Sequence, residues 1–140
     1  MQKSTIHLLT AVVHFESAAF RAGQVARQLH LEHPHLTVQR ALCSAYGSAA
    51  SYYDDPSVSA RLEIGADDVD GARAWAAVLD TELHVQIRGG GTFVYEDAHC
   101  SAVIDGVSVE VSGSRTLSED EATAWRAEQA KTDGTDGGER

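Results

Sequence analysis

Residues 98–111 read AHCSAVIDGVSVEV, and this stretch decides the fold. Asp105-Gly106 stands between Ile104 and Val107, where a type I′ turn needs positive φ at both central positions and Asp-Gly accepts it. Setting Ile104 opposite Val107 fixes the register of an antiparallel hairpin. Ala98, Cys100, Ala102 and Ile104 then share one face with Val107, Val109 and Val111, while His99, Ser101, Ser108 and Glu110 face the other way.

The alternation continues upstream. Leu83, Val85 and Ile87 alternate with His84, Gln86 and Arg88 in a strand that runs into Gly89-Gly90-Gly91, a turn free to visit positive φ. Val58, Ala60, Leu62 and Ile64 alternate with Ser57, Ser59, Arg61 and Glu63, the pattern of a strand with one wet face. Between these two strands Asp67 and Asp68 can cap a helix that carries Val69, Ala72, Trp75, Ala76 and Leu79 as one apolar stripe. Downstream, Ser118 and Glu121 have capping-box spacing, and the helix they open holds Ala122 and Trp125. From Lys131 the chain has no apolar residue to bury, which predicts a disordered, acidic and Gly-rich tail over 131–140 behind a single domain over 1–130.

At the other end, Ile6, Leu9, Val13, Phe20, Ala26 and Leu29 recur at mostly helical intervals from Thr5 to Leu31. The Val12-Val13 pair and Phe15 leave 6–15 open between helix and buried strand. Pro34 forces a boundary, because His33 before it is pushed out of the helical region. Val38, Leu42, Ala45, Ala49 and Tyr52 then predict a second helix from Leu36 to Tyr53, stopping before Asp54-Asp55-Pro56. The expected fold is α+β: an N-terminal helical hairpin, then β-α-β-β-β with a largely antiparallel four-stranded sheet, then a short C-terminal helix.

The chain has 140 residues, 43% of them hydrophobic and 23% charged, enough apolar mass for one core and too little apolar continuity for a membrane span. Its net charge of −10 argues against a basic nucleic-acid coat. The charge is uneven, with four basic against two acidic residues over 1–53 and seven against nineteen over 54–140. The start lacks the charged-then-apolar plan of a secretory signal, so the expected location is the cytoplasm, where Cys43 and Cys100 stay reduced. Nine arginines against two lysines suit a GC-rich bacterial gene, and small acidic chains of this style resemble those of mobile elements.

Residues 23–42, GQVARQLHLEHPHLTVQRAL, resemble a helix-turn-helix unit of bacterial repressors, with Val25-Ala26 on a first helix and Thr-Val-x-Arg-Ala-Leu at 37–42 on a second. The resemblance implies that Thr37, Gln39 and Arg40, beside Arg27, face DNA. His30, His33 and His35 are close enough in sequence to share a metal ion, though a polar inter-helix loop accounts for them more simply, and no metal or cofactor is expected. His99 and Cys100 are neighbours on a strand and point to opposite faces, which excludes a thiolate-imidazolium pair between them. No catalytic triad, zinc-hydrolase motif or phosphate loop is present, so no catalytic residue is assigned.

Three functions compete. The leading expectation is a non-enzymatic binding or regulatory module acting through protein contacts, whose sign is a contiguous exposed apolar patch. A DNA-binding regulator using 24–42 is the second. A small-molecule site or small enzyme with a pocket between helices and sheet, lined by His84, His99 or Tyr95, is the third. The exposed sheet edges further predict a homodimer.

Overall fold

The computed structural model describes the backbone of residues 2–47, 60–89 and 91–138. Helix α1 (Gln2–Glu32) is followed by strands β1 (Arg40–Ala45) and β2 (Ala60–Gly65), helix α2 (Val69–Leu79), strands β3 (His84–Gly89), β4 (Val94–Ile104) and β5 (Val107–Thr116), and helix α3 (Glu119–Gly138). The expected α+β class holds. The sheet, however, has five strands in the order β1-β2-β5-β4-β3, and it is mixed: β2 runs parallel to β5 and every other pair is antiparallel. The parallel pair arises because the chain crosses by α2 from β2 to the far edge, and the β4–β5 hairpin then fills the gap.

The hairpin register is the one the turn dictates. Ile104 pairs with Val107, Ala102 with Val109 and Cys100 with Val111, while Asp105 and Gly106 both take positive φ, 50° and 78°. Val107, Val109 and Val111 are wholly buried, each worth about 1.5–3 kcal/mol in transferred apolar surface. All three helices cover this one face. Ala18, Ala22, Val25 and Leu29 of α1 and Val69, Ala72, Trp75 and Ala76 of α2 close the main core over it, and the Trp75 indole N–H donates to the Thr37 carbonyl at 3.0 Å. A smaller cluster under α3 joins Val94, Leu117 and Ala122, with Ile87 and Trp125 packed against it.

The predicted caps form. Asp68, of the two candidate aspartates, accepts from the Gly71 N–H at 2.8 Å. Ser118 and Glu121 complete a reciprocal box, with the Ser118 N–H donating to Glu121 Oε1 at 3.0 Å and the Glu121 N–H to Ser118 Oγ at 3.2 Å. Arg115 of β5 donates to both oxygens of the same carboxylate at 3.1 and 3.0 Å and to Glu96 Oε1 at 2.7 Å. The guanidinium, followed by the Ser118 backbone N–H, pulls the Glu121 carboxyl from 4.5 down to about 2. A carboxylate depressed by folding stabilises the fold above its unfolded value and loses that contribution as pH falls from about 4.5 to about 2. Urea midpoints measured across that window should therefore fall more steeply for the wild type than for Glu121→Gln; parallel curves would show that the Arg115 clamp does not hold α3.

Two expectations at the ends are corrected. The helix predicted over 36–53 does not form within its described part, 36–47, so the N-terminal helical hairpin is a single long helix followed by an edge strand. The Leu29 carbonyl accepts from His33 N–H at 2.9 Å as α1 ends, and Gln39 N–H donates to Gly65 O at 2.7 Å as the ladder of β1 on β2 begins. Val38 and Leu42, which supplied the helical spacing, are about half exposed and have no core to face, so backbone pairing with β2 decides the conformation. The remainder of that prediction, 48–53, lies outside the described residues, as do 57–59 at the start of the predicted second strand. At the C-terminus, helical backbone continues past Ala130 to Gly138, through the stretch predicted as tail. Among the described residues no helix is long and apolar enough to cross a membrane.

Candidate functional site

Because the helices share one face, the other face of the sheet is bare and polar. Its cross-strand rows follow from the register: Arg61 and Ser108 lie beside each other, then Glu63 and Glu110, then Ser112, His99 and His84. His84 and His99 stack with ring centroids 5.2 Å apart at 27°. Arg61 Nε lies 3.0 Å from Glu110 Oε2 and relieves the like charge of the two facing glutamates. Arg88 pairs with Asp97 and holds its guanidinium over the Tyr95 ring at 5.3 Å.

An open groove of about 610 Å³ runs across this face, with Arg40, Leu42, Glu63, His99, Ser101 and Glu110 among its walls. The Arg40 side chain lies across Gly65, where a Cβ would meet its Cγ at 2.6 Å. This groove lies on the face opposite the helices, not between helices and sheet where a pocket was expected. His99 lines it, His84 stacks behind His99, and Tyr95 stands apart under Arg88.

The four residues implied by the helix-turn-helix resemblance are not brought together. Arg27 is on α1, in a depression of about 590 Å³ with Gln24, Gln28 and Asp105. Thr37 and Gln39 lie in the connection before β1 and are tied by backbone to Trp75 and Gly65, and Arg40 opens β1 in the groove described above. No helix forms over 36–42, where the backbone is turn and extended chain.

Reactive groups are similarly dispersed. Cys100 is buried between sheet and helices, and that burial pushes its thiol pKa up, while His99 points out of the opposite face. Cys43 is exposed on β1. His33 and His35 meet edge to face at 6.3 Å, and among the described residues no three His, Cys, Asp or Glu side chains gather to hold a metal ion.

The feature that sequence reasoning missed is on α1. The helix of 31 residues is about 46 Å long, and among its described side chains, from Leu8 on, burial begins at Ala18. Its first half exposes Leu8 (66%), Leu9 (61%) and Val13 (59%), with Val12 and Phe15 half exposed, and Phe20 (62%) follows two turns after Val13, beyond Glu16. At 3.6 residues per turn Leu9, Val13 and Phe20 point directly away from the Ala18-Ala22-Val25-Leu29 stripe, and Leu8, Val12 and Phe15 fill the flank between. From Leu8 to Phe15 these side chains wrap nearly half the helix, and the exposed Glu16 separates them from Phe20. On the sheet-facing side of this half, Gly47, just after β1, comes so close that a Cβ would collide with the Ala11 carbonyl. The doublets Leu8-Leu9 and Val12-Val13 were the legible signal, since a helix with one buried side needs apolar residues on one side only.

No family model matches the chain, and comparison with curated proteins and with solved structures likewise gave no match.

Proposed function

We propose that this chain is a non-enzymatic binding module that works through protein contacts, docking by the apolar face of α1. One observation carries the reading: five large apolar side chains, from Leu8 to Phe15, stand exposed at neighbouring positions on the first half of one helix. Monomeric proteins rarely leave a contiguous apolar patch of this size uncovered, and where they do it marks an interface. The dispersed polar groups of the sheet supply no competing constellation of nucleophile, base and oxyanion donor. The dimension and aromatic content of the α1 face suit a partner that lays an apolar surface along a helix.

The double variant Val13→Glu/Phe20→Glu tests this. If the face serves docking and not the chain's own core, thermal unfolding measured at a dilution where the wild type is monomeric should stay within about 2 °C of the wild type, the scale of surface substitutions. A large loss of melting temperature would place these side chains inside the fold and remove the docking surface.

A further inference from the structure

Resting on the reading of α1 as a docking surface, we infer that its occupant is a second copy of this chain, the two helices crossing antiparallel about a dyad between Leu9 and Val13. Charge argues first. The protein carries −10, so two copies repel over most of their surfaces. Residues 4–15, between Lys3 and Glu16, hold no Asp, Glu, Lys or Arg, and the exposed apolar cluster falls within and just beyond this stretch. It is the surface on which copies of so acidic a chain can meet without setting like charges against each other.

Area argues second. Phe15, about half exposed, belongs to a residue type that buries 150–250 Å² when whole. With Leu8, Leu9, Val12 and Val13 the face offers on the order of 500 Å² per copy. A symmetric pair would bury roughly 1,000 Å² in total, the lower bound for a specific interface.

Spacing argues third. Leu9, Val12 and Glu16 follow at three and four residues, the spacing of a helix-helix seam, with Leu8 and Val13 as its shoulders. An antiparallel crossing near the middle of the patch sets the leucines of one copy against the valines of the other. Each Glu16 then falls toward an end of the seam, where water reaches it. A twofold contact of this kind is isologous, so one patch on each copy suffices and the assembly closes at two.

Light scattering coupled to size exclusion, from micromolar to submillimolar chain, tests the proposal with the full-length wild type and two single variants. The wild type should run at about twice the 15.0 kDa of one chain. Val13→Glu and Val13→Lys should each be monomeric, their dissociation constants raised about a hundredfold or more by a charge set against the leucines of the other copy with its like-charged twin about one turn away across the dyad. An equimolar mixture of the two should recover the dimer, which unfolded or merely destabilised variants would not do. A wild type that dimerises equally with either charge at position 13 would place the contact on a sheet edge and overturn the proposal. A wild-type monomer throughout the range would also overturn it, while unaltered melting of Val13→Glu/Phe20→Glu would keep the docking reading for a different protein.

Discussion

Trp75→Ala is expected to cost about 3–5 kcal/mol and to lower the melting temperature by on the order of 10 °C or more. Trp75 is buried at the centre of α2, in the main cluster with Ala18, Ala22 and Val25 of α1 and the valines of β5. Truncation to alanine removes the largest side chain of that cluster and leaves a cavity that small neighbours such as Ala72 and Ala76 cannot collapse into. It also strands the Thr37 carbonyl, which accepts the indole N–H at 3.0 Å and so ties the connection between α1 and β1 to α2. Trp75→Phe separates the two effects: it keeps most of the volume and loses the hydrogen bond, so its cost should be about 1–2 kcal/mol. Chemical denaturation of the three proteins would measure both, and equal losses for Phe and Ala would assign the effect to the hydrogen bond instead of the cavity.

Gly113→Ala is expected to cost about 3 kcal/mol although it adds a single methyl group, at the upper end of what overpacking does. Gly113 sits on β5 opposite Ala98, on the helix-covered face, where the amino end of α2 comes down onto the sheet. A Cβ there would collide with the Asp68 carbonyl oxygen, lie 2.9 Å from its carbon and press on the Ala72 side chain at 3.2 Å. Relief requires moving backbone, and Asp68 is the residue whose side chain caps α2. The substitution should therefore loosen the first turn of α2 as well as lower global stability, visible as faster amide exchange at Asp70 to Ala72. A Gly113→Ala protein as stable as the wild type would mean that α2 does not approach β5 this closely.

Local chemistry was legible in the sequence and long-range pairing was not. Asp105-Gly106 fixed a hairpin register through a turn whose two positive φ angles few other dipeptides accept. Asp68, Ser118 and Glu121 announced helix starts because their short side chains can reach orphan N–H groups. β1 was read as helix because Ala41, Cys43 and Ala45, which face the helices, are small, and its largest apolar residue, Leu42, faces the wet side beside Glu63. That pattern carries no period of two. The fifth strand and the parallel β2–β5 pair depend on which edge accepts which strand, a property of assembly and not of any window of residues. Of the candidate site, His99 was correctly set on the outer face, but the groove needed β1 to give it a wall. The apolar surplus over 8–15 was visible as ambiguity between helix and strand; the helix resolves it, and the surplus remains as an exposed face.

The most direct test of the docking surface is amide hydrogen exchange of the wild-type chain, compared at low and high protein concentration. The described side chains from Leu8 to Ser17 are not among the buried core that holds the second half of α1, so in the free chain this stretch should open and exchange faster. The account predicts that raising the concentration slows exchange selectively over residues 8–20 and leaves the edge strands β1 and β3 unchanged. Slowed exchange confined to β1 or β3, or identical exchange over 8–20 at every concentration, would contradict it.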